Sequence, residues 1–316
     1  MNYEDFDPDG QKIKLFAPGP TQFPDWILAE LAKPNDTHRS KAYAQLHESV
    51  VRQMKTLLNT NNDIFLMTCS GTGIMEACVR NLISDDDEAL FFSVGDFGTR
   101  WYKIGKSNGK KCDLVELEAG KGLTPEIVKE NVSKKKYSVV FMTMNETSTG
   151  VLNPIDKLAP IIKETGALLC VDAVSCMGGV KIEVDKWGLD VCLASLQKCF
   201  ATPSGMAVCS VSAAALKKAE TLKNRGTYFD FIVHKKNNDK NNTPTTPAIP
   251  QIRALNRMLK HILEEEGVEN RYARHIKNAE LIQTRMKKLG FTMMTEDGFH
   301  SPTVCTIKNN LNIEVK

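Results

Sequence analysis

The chain has 316 residues, of which 42% are hydrophobic and 25% are charged, and its formal net charge at pH 7 is +3. These fractions are typical of a globular protein that is long enough for one large domain and part of a second. The positive charge is small and unclustered, which argues against nucleic acid or a membrane surface as a partner. No hydrophobic run approaches the length of a transmembrane helix.

The cysteine content and the N-terminal residues predict a compartment. The nine cysteines are an odd number, form no C-x-x-C pair and lie mostly in apolar runs, as expected of reduced, buried thiols. Residues 1–7 are too acidic for a secretory or mitochondrial leader. We expect a cytoplasmic protein, and no metal-ligand set is predicted.

Short apolar runs alternate with helical patterns through the first two thirds of the chain. The runs predicted as buried strands are 63–68, 89–94, 137–144, 167–172, 191–194 and 206–211. Helical spacing or end signals mark 74–82, 125–131 and 155–165. Repeated β-α units predict an α/β fold with a mainly parallel sheet and helices on both faces.

The last third of the chain is predicted to be mostly helical. The asparagine- and lysine-rich segment 234–242 is interpreted as a solvated loop rather than a basic binding patch, because the asparagines dilute its charge. A helical pattern runs from 251 to 266, a second helix is predicted at 275–289, and a strand at 303–307. The predicted divisions are an N-terminal arm (1–20), a large domain (21–264) and a partial small domain (265–316).

A glycine-rich turn joins the first predicted strand to a helix. Cys69, Ser70, Gly71, Thr72 and Gly73 follow the strand and precede the helix. A strand, a small-residue turn and a helix N-terminus direct backbone N–H groups and a positive dipole end at an anion. The turn has no GKS or GKT ending, and many such turns are glycine-rich for steric reasons alone.

An aspartate and a lysine follow two later strands. Asp172 ends an apolar strand, the position at which open α/β sheets bind ligands, although a lone aspartate there is more often a helix cap or turn residue. Lys198 lies between an apolar run and a small-residue turn. Desolvation would lower the pKa of Lys198 and prepare its amine to form a Schiff base, whereas most lysines at strand ends extend into solvent.

These features in this order resemble class V aminotransferases of the pyridoxal-phosphate fold type I superfamily. The resemblance covers most of the chain and rests on collinear motifs at 16–21, 70–73, 95–100, 145–154, 171–174, 195–198 and 243–248. It is nearest to alanine–glyoxylate and serine–pyruvate aminotransferases. Segments 152–156 and 296–303 also resemble 2-aminoethylphosphonate–pyruvate transaminase.

The resemblance implies a role for each matching residue. Lys198 and Asp172 would be catalytic, with Lys198 forming the Schiff base and Asp172 pairing with the ring nitrogen of pyridoxal phosphate. Phe97 and Val174 would enclose the ring, and Thr147 would contact its phenolic oxygen. The phosphate would be held by Thr72, Gly73, Ile74 and Gln197, together with Thr243 and Thr246 of a neighbouring subunit, which implies a homodimer.

The chain departs from the family pattern at three places. Some relatives have tyrosine at the position of Thr243, and some have histidine or serine at that of Ile74. The family's arginine for the substrate α-carboxylate lies in a segment with no counterpart here, since the last arginine is Arg285. Arginine is the side chain best suited to bind a carboxylate, so we expect weak amino-acid binding and slow turnover unless Arg39 or Arg100 takes its place.

The predicted activity is transfer of an amino group from a small amino acid, alanine or serine, to a 2-oxo acid such as glyoxylate or pyruvate. Three alternatives remain. The first is 2-aminoethylphosphonate transamination, and the second is a chain that binds the cofactor without efficient turnover. The third, a desulfurase or lyase activity, would need a cysteine on a mobile loop, whereas Cys305 lies in a predicted strand.

Overall fold

The computed structural model describes residue 15 and residues 17–314. Its helices are α1 (Asp25–Leu31), α2 (Lys41–Leu58), α3 (Gly71–Leu82), α4 (Asp96–Ser107), α5 (Pro125–Val132), α6 (Ile155–Glu164), α7 (Val184–Trp187), α8 (Ala213–Glu220), α9 (Phe231–Asn238), α10 (Ile249–Lys260), which continues as a π-helical turn (His261–Glu266), and α11 (Val268–Lys288). Its strands are β1 (Asp63–Met67), β2 (Glu88–Ser93), β3 (Lys111–Glu116), β4 (Val139–Thr143), β5 (Asn145–Glu146), β6 (Val151–Leu152), β7 (Leu168–Asp172), β8 (Val191–Ser195), β9 (Ala207–Val211), β10 (Thr292–Met293) and β11 (Ile307–Lys308).

Seven strands form one mixed sheet in the order β1-β9-β8-β7-β4-β2-β3. The neighbours from β8 through β7, β4 and β2 to β3 are parallel, because each pair is joined through a helical crossover. Strand β9 follows β8 through a short loop and runs antiparallel to both β8 and β1. The predicted α/β fold with a mainly parallel sheet is confirmed.

Helices cover both faces of the sheet, as predicted, because each central strand is apolar on both sides. On one face, Phe65, Phe91 and Phe141 pack beneath α3, α4 and α8, with the rings of Phe91 and Phe141 stacked at 4.4 Å. On the other face, Leu66 and Met142 pack against α2, α5, α6 and α10. Continuous apolar strands of this kind are typical of sheets buried on both faces.

The directions of the strands bring several turns to one edge of the sheet. Strands β1, β2, β4, β7 and β8 run the same way, so the turns after their carboxyl ends lie side by side. Asp172, the last residue of β7, is in register with Thr143 of β4 and Leu193 of β8. Ligands of open α/β sheets bind at this kind of edge.

Three predictions about the later elements are wrong in detail. Of the predicted solvated loop at 234–242, residues 234–238 instead belong to α9, because Asp230 caps that helix and Phe231 and His234 are buried, whereas residues 239–242 lie outside it. The second long helix begins at Val268 rather than at residue 275. Residues 303–306 are not a strand, and only Ile307 and Lys308 pair with β10.

The predicted N-terminal arm lies largely outside the described residues, and so do Phe16 of the motif at 16–21 and the last two residues. The division into domains at 20 and 264 stays a prediction. Among the residues that the structure describes, none of the helices combines the length and the apolar character needed to cross a bilayer.

Candidate active site

A cavity of about 220 Å³ lies at the carboxyl edge of the sheet, beside the N-terminus of α3. Five of the predicted site residues line it: Thr72, Phe97, Val174, Gln197 and Lys198. The other lining residues are Ser70, Gly71, Met75, Arg100 and Ser195. The cavity therefore joins residues that follow β1, β2, β7 and β8.

Lys198 lies in the loop after β8, where its side chain is partly buried. Its Nζ donates a hydrogen bond to the carbonyl oxygen of Pro18 at 3.1 Å. Burial lowers the pKa of Lys198, while Cys199 and Asp172 oppose the shift. Because its pKa is lowered, a larger fraction of the Lys198 amine is unprotonated and nucleophilic near neutral pH.

Asp172 is 2% exposed at the end of β7, and its Oδ1 accepts a hydrogen bond from the N–H of Val174 at 2.8 Å. Burial raises the pKa of Asp172 to about 7, and the neighbouring Glu146 carboxylate adds to the rise. The Val174 N–H, Arg100 and Lys198 oppose it. Asp172 is thus a buried acid that lacks a strong cationic partner among the described residues, and a protonated ring nitrogen would supply one.

The glycine turn after β1 fits closely against the loop after β8. The N–H of Gly71 donates to Ser195 Oγ at 2.9 Å, which ties the start of α3 to the strand that precedes Lys198. A Cβ on Gly71 would lie 2.6 Å from Ser195 Oγ and 2.7 Å from Val174 Cγ2. Any larger residue at position 71 would clash with these two side chains of the cavity wall, so this position requires glycine.

Phe97 forms another wall of the cavity, and the guanidinium of Arg100 lies 4.5 Å from the centre of its ring. Both residues are on α4, one turn apart, so helical spacing brings them together. The first turn of α4 donates its Phe97 and Gly98 N–H groups to the buried carboxylate of Glu146. The position of Phe97 therefore depends on the turn between β5 and β6.

The remaining predicted site residues do not line the cavity. Gly73 donates its N–H to Ser70 O at 2.9 Å, and the side chain of Ile74 is buried in the core. Thr147 is partly buried in the turn after β5. Thr243 is buried against Tyr43, whereas Thr246 is exposed on the surface.

A second cavity, of about 700 Å³, opens on the other side of Lys198. Its lining includes Pro18, residues 21–26 and four basic or imidazole side chains: His261, Arg271, Arg274 and His275. Arg271 is buried and donates to Gly178 O, Cys199 O and Glu266 Oε2. The arginine thereby fastens the loop that carries Lys198 to α11.

Three side chains beside the predicted site residues were not themselves predicted: Asn145, Glu146 and Ser195. All three lie within motifs that were singled out at 145–154 and 195–198, so their proximity to the predicted residues was the available signal. Asn145 donates its amide to Ser175 Oγ at 2.7 Å. Asn145 Oδ1 and the neighbouring Thr143 Oγ1 are buried and have no hydrogen-bond partner among the described residues.

The fold and the site define a class of protein, a pyridoxal-phosphate enzyme of fold type I, and similarity to known proteins identifies the family. Residues 15–312 match the class-V aminotransferase family. The chain therefore belongs to the class-V aminotransferases and is a pyridoxal-phosphate-dependent transaminase. The resemblance predicted from the motifs is confirmed.

Individual relatives agree with this assignment. The chain is 36% identical over 309 residues to an uncharacterized aminotransferase of Methanocaldococcus jannaschii, covering 97% of this chain and 80% of the relative. It is 33% identical to a serine–glyoxylate aminotransferase of Methylorubrum extorquens, covering 93% and 76% of the two chains. An alanine–glyoxylate aminotransferase from Nostoc sp. has the same fold, with a TM-score of 0.89 at 24% identity, over 97% of this chain and 84% of that one.

The residues present fit pyridoxal phosphate. Phe97 and Val174 provide apolar walls, and Gly71 leaves room that a Cβ would fill. The positive end of the α3 dipole suits the phosphate, and the buried acid Asp172 suits a protonated ring nitrogen.

Proposed function

We propose that this transaminase moves the amino group of a small amino acid, serine or alanine, to a 2-oxo acid such as glyoxylate or pyruvate. The observation that carries the proposal is the junction at Lys198, which lines both the 220 Å³ cavity and the larger, basic cavity. An amine at that junction can reach a cofactor on one side and an anionic substrate on the other. Names of relatives that act on serine or alanine and glyoxylate support the choice of substrates.

Within this proposal, Lys198 and Asp172 are the catalytic residues. Bound at this site, pyridoxal phosphate supplies an aldehyde and a protonated ring that accepts the electron pair released at the substrate α-carbon. Lys198 Nζ first acts as the nucleophile and then moves a proton at the α-carbon, roles that its lowered pKa favours. Asp172 holds a proton on the ring nitrogen, because a carboxylate buried at 2% exposure interacts strongly with an opposite charge.

The other predicted residues orient the cofactor. Phe97 and Val174, which line the cavity, would enclose the ring, and Thr147 would bind its phenolic oxygen. Thr72, Gly73 and Ile74 contribute the first turn of α3 to the phosphate, with Gln197 beside them. The Thr72 side chain lines the cavity, whereas Gly73 and Ile74 would act only through their backbone.

The larger cavity admits the substrates. Arg274 and His261 lie in its wall beside Lys198. Arg271 is buried and its guanidinium donates to Glu266 and to two carbonyl oxygens, and burial lowers the pKa of His275 to about 4, so this imidazole carries no charge near neutral pH. Amino acids and 2-oxo acids carry a carboxylate, which the half-exposed guanidinium of Arg274 attracts.

A homodimer completes the proposed site. Thr246 is exposed, and the segment that carries it reaches the glycine turn, since the N–H of Ala248 donates to Thr68 Oγ1 at 3.3 Å. Thr246 of one subunit would bind the phosphate held by its neighbour, and Thr243, which is buried against Tyr43 and donates its hydroxyl to Thr245 O, would hold the segment that carries Thr246. Cofactor affinity and dimerisation should therefore be linked in sedimentation experiments, and a stable monomer with full cofactor occupancy would contradict this assembly.

The proposed location is the cytoplasm. All nine cysteines are unpaired in the structure, and Cys78, Cys170, Cys176, Cys192 and Cys209 are buried. Reduced, buried thiols are typical of a reducing compartment. Fractionation of the source cells tests this location, and recovery of the protein with a secreted or organellar fraction would contradict it.

The test of the proposed function is a panel of amino donors with glyoxylate and pyruvate as acceptors. Purified protein saturated with pyridoxal phosphate is mixed with serine, alanine, aspartate or 2-aminoethylphosphonate, and the new amino acid is measured by chromatography. We expect turnover with serine and alanine to exceed that with the other donors. Preference for 2-aminoethylphosphonate would replace the proposed donor class, and cofactor binding without any transfer would leave only a binding protein.

A further inference from the structure

Glu146 is a buried carboxylate whose two oxygens join two elements of the site. It is 0% exposed at the end of β5. Its Oε2 accepts the N–H groups of Phe97 at 3.1 Å and Gly98 at 3.2 Å, in the first turn of α4. Its Oε1 accepts the N–H of Ser148 at 3.1 Å and the hydroxyl of the same residue at 2.7 Å. One side chain thus ties the helix of Phe97 to the turn of Thr147.

The surroundings of Glu146 act on its negative charge in two opposite directions. Burial raises the pKa of Glu146, and the four hydrogen bonds from Ser148, Gly98 and Phe97 oppose that rise. The carboxylate also faces the N-terminal end of the α4 dipole, which favours an anion. Because its oxygens are occupied by these donors, Glu146 is positioned to organise the site rather than to contact a substrate.

The packing around this carboxylate is tight. A Cβ on Gly95 would lie 2.4 Å from Ser148 Oγ and 2.6 Å from Glu146 Cγ. Ser148 Oγ also accepts the N–H of Asp96 at 3.0 Å. The N-terminus of α4 therefore has little freedom to move relative to the turn that contains Thr147, provided that Glu146 keeps its hydrogen bonds.

The charge of Glu146 also reaches the cofactor side of the sheet edge. It acts on Asp172 at the end of β7, while Arg100 on α4 and Lys198 after β8 act in the opposite sense. Among these three described groups, Glu146 is the one whose charge strengthens proton binding where the ring nitrogen is expected.

We propose that Glu146 is a positioning residue that holds Phe97 and Thr147 in place for the cofactor ring. Its negative charge also adds to that of Asp172 at the ring nitrogen. This inference rests on the proposed cofactor site. It does not depend on which amino acid is the donor.

The test compares Glu146→Gln with Ser148→Ala and with the control Asp96→Asn. Glu146→Gln removes the charge and keeps the shape, whereas Ser148→Ala keeps the charge and loses one hydroxyl donor. Asp96→Asn removes an exposed carboxylate from the same helix turn. For each protein we would titrate the cofactor-free form with pyridoxal phosphate, follow the visible absorption of the bound form against pH, and measure the melting temperature of the cofactor-free form.

We expect Glu146→Gln to weaken cofactor binding roughly tenfold to a hundredfold, as for loss of hydrogen bonds to a charged group. Its pH midpoint for the absorption change should move to lower pH, while the midpoint of Ser148→Ala stays near the wild-type value. Ser148→Ala should weaken binding by a smaller factor, and Asp96→Asn should match wild type in both measurements.

Equal affinity and an equal pH midpoint for Glu146→Gln and Asp96→Asn would overturn the inference. If Glu146→Gln does not fold, Ser148→Ala decides the positioning role, because wild-type affinity in that variant would contradict it. Failure of the wild-type protein to bind pyridoxal phosphate would instead contradict the proposed site. A lower melting temperature with unchanged affinity and midpoint would assign Glu146 a purely structural role.

Discussion

Replacing Asp172 with asparagine should change stability in a pH-dependent way that reports on its buried carboxyl group. The structure raises the pKa of Asp172 from an ordinary value of 3.8 to about 7, chiefly by burial. A group whose pKa is higher in the folded protein stabilises the fold at low pH, and this contribution is lost as the pH rises through the folded-state value. Folded protein without cofactor should therefore lose stability between pH 4 and pH 7.

The magnitude follows from the size of the shift. At about 1.4 kcal/mol per pKa unit, a shift of roughly three units costs about 4 kcal/mol above pH 7, and about 2.5 kcal/mol of that develops between pH 5 and pH 8. Asparagine cannot ionise, and its Oδ1 can still accept the N–H of Val174, as Asp172 does at 2.8 Å. Asp172→Asn should thus gain about 2.5 kcal/mol relative to wild type over this pH range.

The assay is urea unfolding of the cofactor-free proteins at pH 5, 6, 7 and 8, with Asp86→Asn as a control at an exposed carboxylate. The difference between Asp172→Asn and wild type should grow with pH, and that of the control should stay flat. With pyridoxal phosphate present the order should reverse, because only the wild type pairs a carboxylate with the ring nitrogen. A stability difference that is the same at pH 5 and pH 8 would refute the reasoning.

Two further substitutions test the walls of the site. Gly71→Ala places a Cβ within 2.6 Å of Ser195 Oγ. Urea unfolding should show a loss of about 1–3 kcal/mol of stability, and titration with the cofactor should show weaker binding. Wild-type affinity in this variant would contradict the close fit. Arg271→Ala leaves Glu266 Oε2 and two carbonyl oxygens without their donor, and should lower the free energy of unfolding by about 3–5 kcal/mol. Arg274 is more exposed, so Arg274→Ala should lower it by less than about 1 kcal/mol. Equal losses of unfolding free energy for the two arginines would show that Arg271 does not anchor the Lys198 loop.

Much of the fold could be predicted from the sequence because its strands are short, apolar and separated by helical patterns. Asp172 and Lys198 could be predicted as site residues because each follows a predicted strand, and the carboxyl ends of parallel strands meet at one edge of the sheet. The family resemblance added Phe97, Thr72 and Gln197, which do line the cavity. Each of these features follows from a short stretch of consecutive residues.

The features that were missed depend on contacts between distant segments. Glu146 and Ser195 lie within motifs that the sequence singled out, but their roles follow from contacts with α4 and with Gly71 that the sequence does not show. Helix α9 was mistaken for a loop because its composition is polar, whereas burial of Phe231 and His234 stabilises it. Tertiary packing outweighs local propensity in such short helices.

The most direct test of the account is to identify the residue that forms the covalent bond with the cofactor. Purified protein loaded with pyridoxal phosphate is reduced with borohydride, digested and analysed by mass spectrometry, in parallel with Lys198→Ala. We expect a yellow wild-type protein with the pyridoxyl group on Lys198, and a Lys198→Ala variant that binds the cofactor without forming the bond. Modification of another lysine, or the same visible spectrum for both proteins with no trapped adduct, would contradict it.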